Sequence, residues 1–185
     1  MRFWGNLLGY QLVWFAAVMG AGRGQWWPAM VAALLFAAWQ LTLSRQRVLE
    51  LRLIMAAVVL GALLDGGLAA SGLLRYAAGS IALPAGGAPL WTLALWCAFA
   101  LTLTQSLRWL QPRPWLAMLF GAIGGPLAYL GAARGFDAVA FAAPGWMALA
   151  WLALGWALAI VLLTSLITRW SPVTADAHGW QGSAR

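Results

Sequence analysis

"RLIMAAVVLGALLDGGLAASGLL", residues 52–74, decides the class of this chain. A helix needs about 20 apolar residues to cross a bilayer's hydrocarbon core, and beyond Arg52 this run holds a single charge, Asp65. Unpaired backbone groups in hydrocarbon cost several kcal/mol each, so such a run folds as a helix and not as an open strand. Five further runs, about 4–22, 26–44, 90–110, 114–133 and 145–169, have the same character and are separated by turn residues and arginines. Of 185 residues, 64% are hydrophobic and 8% charged, with a mean hydropathy of +0.82, whereas soluble proteins carry about 25% charged residues. The reading is an all-α, polytopic transmembrane bundle of six spans, one domain over residues 1–170, followed by a short polar tail, 171–185.

The net charge of +7 rests on arginine alone, since there is no lysine. These arginines are scattered in ones and twos between apolar runs, whereas a nucleic-acid protein gathers them on one face, so no nucleic-acid partner is expected. With the N-terminus inside, Arg2, Arg45, Arg47, Arg52, Arg108, Arg113, Arg169 and Arg185 fall on the cytoplasmic side, against Arg23, Arg75 and Arg134 on the other. The positive-inside rule then places both termini in the cytoplasm. Tryptophans agree, with Trp4, Trp109, Trp115 and Trp170 at inner ends and Trp26, Trp27, Trp91 and Trp146 at outer ends, where indoles favour the headgroup level. Arg2 before an apolar stretch suggests a signal peptide. Met19-Gly20-Ala21 is a poor cleavage site, however, and Asn6 and Gln11 interrupt the run, so it reads as a span.

The lone Cys97 permits no intrachain disulfide and reads as a small core hydrophobe. His178 has no ligand cluster beside it and reads as solvated; no metal and no cofactor are expected. The polar tail reads as disordered. The loop "RYAAGSIALPAGGAP", residues 75–89, reads as a linker or as a shallow re-entrant cover over an outer opening. Gly5-x-x-x-Gly9 and Gly121-x-x-x-Gly125 offer notches for close helix packing, which suggests that spans one and five lie inside the bundle. Gly124, Gly125 and Pro126, with Tyr129 a turn further on, mark an expected kink, because proline removes a backbone donor and crowds the preceding turn.

Asp65 lies about 20 Å into its span at 1.5 Å per residue. A carboxylate at a span's centre costs about 2.5–3.5 kcal/mol to insert, so it must face the bundle and is a functional candidate by default. Helical spacing puts Gly61, Leu68, Ala69 and Gly72 on its face. Either it pairs with Arg23, Arg75 or Arg134 as a structural clamp, or it lacks a cation and serves as a proton or ligand group. A second polar set lies at inner depth. Thr102, Gln105, Ser106 and Trp109 share a helical face, with Asn6 and Gln40 at similar depth, forming either interhelical glue or a pocket whose lipid headgroup meets Arg108 and Arg113.

Three stretches, "NLLGYQLVWFAAVMGAG", "PLWTLALWCAFALTLTQSLRWLQPRP" and "FGAIGGPLAYLGAARG", resemble a bacterial inner-membrane family known as domain of unknown function 2878. The resemblance covers residues 4–168 and is most specific at Pro89, Trp91, Ser106–Leu110, Gly125-Pro126-Leu127 and Tyr129. It implies a multi-pass inner-membrane protein and an aspartate matching Asp65. The family usually has Asn-His where this chain has Thr104-Gln105, which weakens any reading with histidine chemistry there. Its members are often encoded near enzymes that modify membrane fatty acids, which implies a pathway and not a mechanism.

Three functions compete. A lipid-associated accessory or scaffold protein would bind membrane lipids through the basic rim of Arg45, Arg47, Arg108 and Arg113, with a homo-oligomer or a membrane enzyme as partner. A small oligomeric transporter or proton-coupled carrier would titrate Asp65, although residues 1–74 and 90–169 show no clear repeat. An intramembrane enzyme would need a nucleophile with a base, or a metal with three or four ligands. One histidine, one cysteine and four acids show neither set, so no catalytic residue is assigned.

Overall fold

A computed structural model describes residues 2–77, 81–83 and 85–171. The expectations for the tail, including His178 and Arg185, and for part of the loop lie outside these residues. Each apolar run contains a helix: α1 Arg2–Gly22, α2 Trp27–Leu43, α3 Arg47–Ala70, α4 Leu90–Leu103, α5 Pro114–Phe136 and α6 Trp146–Trp170. By length and composition α3, α5 and α6 suffice to cross a membrane, while α2 and α4 are apolar but shorter. The architecture is an all-α bundle whose strands are confined to connections.

Two runs, the third and the fourth, differ most from the sequence reading. The third run is helical from Arg47, not residue 52, and stops at Ala70, where Gly72 takes a positive φ of 69° and turns the chain into β1, Leu74–Tyr76. The fourth does not continue to residue 110. Its α-helix ends at Leu103, and after a turn a 3-10 segment covers Arg108–Leu110. Polar side chains compete for the backbone there: the Thr104 hydroxyl is shared between the Leu101 carbonyl at 3.3 Å and Glu50 Oε1 at 3.1 Å, and Asn6 Oδ1 takes the Ser106 N–H at 3.3 Å. Thr102, Gln105, Ser106 and Trp109 therefore do not share one α-helical face.

Two strand pairings shape the described parts of the loop. β1 runs antiparallel to β4, Val139–Phe141, with Tyr76 opposite Val139, and β2, Ala82–Leu83, pairs with β3, Ala88–Pro89. These ribbons gather at one end of the bundle, called here the strand end, with exposed Arg23, Arg75 and Arg134. The opposite, basic end carries exposed Arg45, Arg47, Arg52, Arg108, Arg113 and Arg169.

The central helix is α4, packed against α1, α2 and α3, and not α1 or α5 as the glycine notches suggested. Ten of its fourteen residues are buried. The notches serve pairwise contacts instead, because a missing side chain lets one neighbouring ring approach the backbone. Gly5 and Gly9 of α1 receive the rings of Trp39 and Phe36 of α2, Gly125 of α5 receives the Trp156 ring of α6, and Gly121 lets the α6 backbone at Trp156 come close. Pro126 sits inside α5, which continues past it.

Candidate functional site

Asp65 is fully buried where α3, β1, α4 and α5 converge. Trp96 Nε1 donates to its Oδ2 at 3.0 Å; Tyr76 donates its hydroxyl to Oδ1 at 3.0 Å, and Tyr129 donates to the same oxygen in a short contact. Every partner reaches the carboxyl as a donor, the arrangement that suits a group with two acceptor oxygens. The arginine clamp does not form. Among the described residues Asp65 has no ion pair, because Arg23, Arg75 and Arg134 all extend into the exposed rim of the strand end.

Each donor is placed by local structure. Trp96 lies flat between α3 and α6: a Cβ at Gly61 would fall 2.2 Å from its ring, and on its other side it stacks on Trp156 with centroids 4.2 Å apart and planes at 14°. Trp156 in turn rests on Gly125, where a Cβ would fall 2.5 Å from it. Two glycines from different helices thus enclose a stacked indole pair. Tyr129 stands one helical turn beyond the Gly125-Pro126 step, so of the residues marked at that step Tyr129 bonds the aspartate and Gly125 seats the Trp156 ring. The β1–β4 pairing holds Tyr76 over the site; burial foremost, then the Asp65 charge, push its hydroxyl's titration upward, which keeps it a donor.

A cavity of about 40 Å³, room for about one water, touches Thr92, Trp96 and Tyr129 from the α1 side. Tyr10, Trp14, Ala128 and Trp156 line it and also line a groove of about 360 Å³ between α1 and α5, whose floor is Phe99, Thr102 and Ser106 of the α4 region. Gln11, Phe120 and Leu127 form the exposed lips of this groove. The three tyrosines of the chain, Tyr10, Tyr76 and Tyr129, thus all belong to the Asp65 site or its antechamber.

The second polar set forms only in part. Asn6 Nδ2 donates to the Leu101 carbonyl at 3.3 Å, and Ser106 Oγ donates to Asn6 Oδ1 at 2.6 Å, tying α1 to the turn after α4. Thr102 returns its hydroxyl to the Phe99 carbonyl at 2.7 Å. Gln40 is buried on α2 but is not bonded to this group, and Gln105 is only half-buried. Arg108 and Arg113 do not line the groove; Arg113 instead donates to the Trp109 carbonyl at 3.3 Å, and Arg47 to the Thr42 carbonyl at 3.2 Å. Arg45 is exposed in the α2–α3 turn.

Sequence reasoning missed Glu50, which is 3% exposed and accepts the Thr104 hydroxyl on Oε1 at 3.1 Å, while Oε2 has no partner among the described residues. Arg47 and Arg52 flank it, a setting that in sequence resembles a solvated turn. The signal was helical spacing, since Glu50, Leu53, Ala57, Gly61, Leu64, Asp65 and Leu68 form the buried stripe of α3. Trp91, in the first turn of α4 at the strand end, is 2% exposed and packs edge-on to Tyr76 beside the site. Among the described residues no group of three or more His, Cys, Asp or Glu side chains is placed to hold a metal ion.

Residues 3–162 match the family described as "Protein of unknown function (DUF2878)". The chain belongs to that family. DUF2878 proteins are bacterial inner-membrane proteins, and the apolar helices here fit that location. No curated protein and no solved structure matches this DUF2878 chain.

Proposed function

We propose that this DUF2878 protein crosses the inner membrane six times with both termini in the cytoplasm, as one domain over residues 1–170, and serves as a lipid-binding accessory to membrane fatty-acid modification. The topology is supported by the arginine imbalance between the two bundle ends. The binding reading rests on one observation: the 360 Å³ groove between α1 and α5 has an apolar lining that includes Leu7, Phe99, Phe120 and Ile160, and it shares Tyr10, Trp14, Ala128 and Trp156 with the cavity beside Asp65. Such a shape suits an acyl chain with its polar end at the cavity. Asp65 organises the cavity wall through Trp96 and Tyr129. A carrier that titrates Asp65 is less supported, because three donors from three elements hold the carboxyl in place and it does not line the groove.

Gly124 supplies the test, since a Cβ there meets only Phe120, at 4.0 Å, and a larger side chain fits the groove without displacing a helix. Purified protein is photolabelled with a diazirine-bearing fatty acid, and labelled peptides are mapped. Labels on α1 and α5 that fall several-fold in Gly124→Phe support the reading. Labelling that is undiminished in that variant, or absent from both helices in the wild type, refutes it.

A further inference from the structure

A second groove runs along the opposite seam, between α3 and α6. Its basic-end portion is an open furrow of about 610 Å³ lined by Met55, Val59 and Leu60 of α3 and by Leu162 and Leu166 of α6, with Arg52 and Trp170 at one end. Leu60 and Leu162 also line a depression of about 360 Å³ that continues the seam past Leu64 and Leu158 to Trp151. From Arg52 to Leu64 the helix rises about 18 Å at 1.5 Å per residue, close to one leaflet's share of the ~30 Å hydrocarbon core.

The charge at that end selects the occupant. Arg52 is exposed in the second turn of α3, inside a stripe that is otherwise apolar on both sides of it: Val48 one turn before, Met55 and Val59 after. A guanidinium there has an apolar stem to lay along the groove and a fork suited to a phosphate. Arg169 is exposed beside Trp170 at the same end, adding positive charge. Among the described residues no acid lines either portion of the seam.

We propose that the α3–α6 seam is a binding site for one anionic phospholipid, its phosphate on Arg52, its headgroup beside Trp170, and an acyl chain along Leu60, Leu162 and Leu158. This site is separate from the α1–α5 groove, so the two succeed or fail independently.

The experiment is native mass spectrometry of the full chain released from mixed micelles containing equal dioleoyl-phosphatidylglycerol and dioleoyl-phosphatidylcholine. The wild type should retain one phosphatidylglycerol in preference to phosphatidylcholine. Arg52→Gln should lower that preference about fivefold, the ratio set by ~1 kcal/mol for one basic residue near an anionic lipid, while Arg52→Lys keeps most of it. Val59→Trp, which fills the seam, should remove the bound lipid whatever its charge. Both positions are exposed, so the variants are expected to fold, and photolabelling of the α1–α5 groove should be unchanged in each. Equal retention of the two lipids by the wild type, or an unaltered preference in Arg52→Gln, overturns the proposal. So does a dimer that Val59→Trp dissociates without any change in bound lipid, because the seam is then an interface between copies.

Discussion

Replacing Gly61 with alanine tests how the site is built. The new Cβ would stand 2.2 Å from Trp96 Cδ1, 2.4 Å from Cγ and 2.6 Å from Nε1, where ordinary contact begins near 3.4 Å, so the indole must retreat by about an ångström. It has nowhere to go, since Trp156 is stacked at 4.2 Å behind it and is itself pressed on Gly125. Overpacking costs about 1–3 kcal/mol, and moving Nε1 off the carboxylate forfeits a hydrogen bond worth about 1.5–3 kcal/mol, giving about 2.5–6 kcal/mol in all. Gly66→Ala, five residues along the same helix, is the control: its Cβ finds nothing nearer than 3.5 Å, and alanine in a helix is favoured over glycine by up to about 1 kcal/mol. The assay is the fraction of monodisperse protein that survives a temperature ramp in mild detergent. At about 2–4 °C per kcal/mol, Gly61→Ala should melt at least ~5 °C below wild type while Gly66→Ala stays level or rises. Equal melting of Gly61→Ala and wild type, or an equal fall in Gly66→Ala, would refute the argument that the clamped indole positions the carboxyl.

Tyr129→Phe and Trp96→Phe should each destabilise by about 1.5–3 kcal/mol, and the double variant should fall short of their sum, because both act through Asp65; strict additivity in a double-mutant cycle would show them uncoupled. Asp65→Asn brings an NH₂ donor against three donors and should reduce folded yield in native membranes more than Tyr76→Phe does, as read by detergent-extracted monomer. Glu50→Gln should be neutral or stabilising, whereas Glu50→Ala should destabilise, because the amide keeps an acceptor for Thr104 and removes a charge whose Oε2 is unpaired; equal losses in thermal stability would count against this. Asn6→Ala should cost about 0.6–2 kcal/mol, and Ser106→Ala should add little to it, since the two share one bond.

The helices were legible because hydrocarbon imposes one rule on every residue of a span, and a run of apolar side chains announces it regardless of neighbours. Ends were harder to read where polar groups contest the backbone. Thr104, Asn6 and Ser106 end α4 early through bonds to partners up to 100 residues away, which no local window contains. Asp65 stood out by its cost in an apolar run, and Tyr129 was already marked as part of the proline step, yet nothing local linked the two.

The sequence by itself determined that this is an apolar helical chain of the inner membrane, that its arginines crowd one end, and that Asp65 must turn inward. Only the tertiary structure decided what meets that carboxyl. Long-range packing brings Tyr76, Trp96 and Tyr129 from three elements onto two oxygens and leaves the strand-end arginines outside. A buried charge states its need for partners through its cost, but which residues supply them depends on how helices cross. Here that crossing is set by glycines whose only message is the space they leave for a ring from another helix.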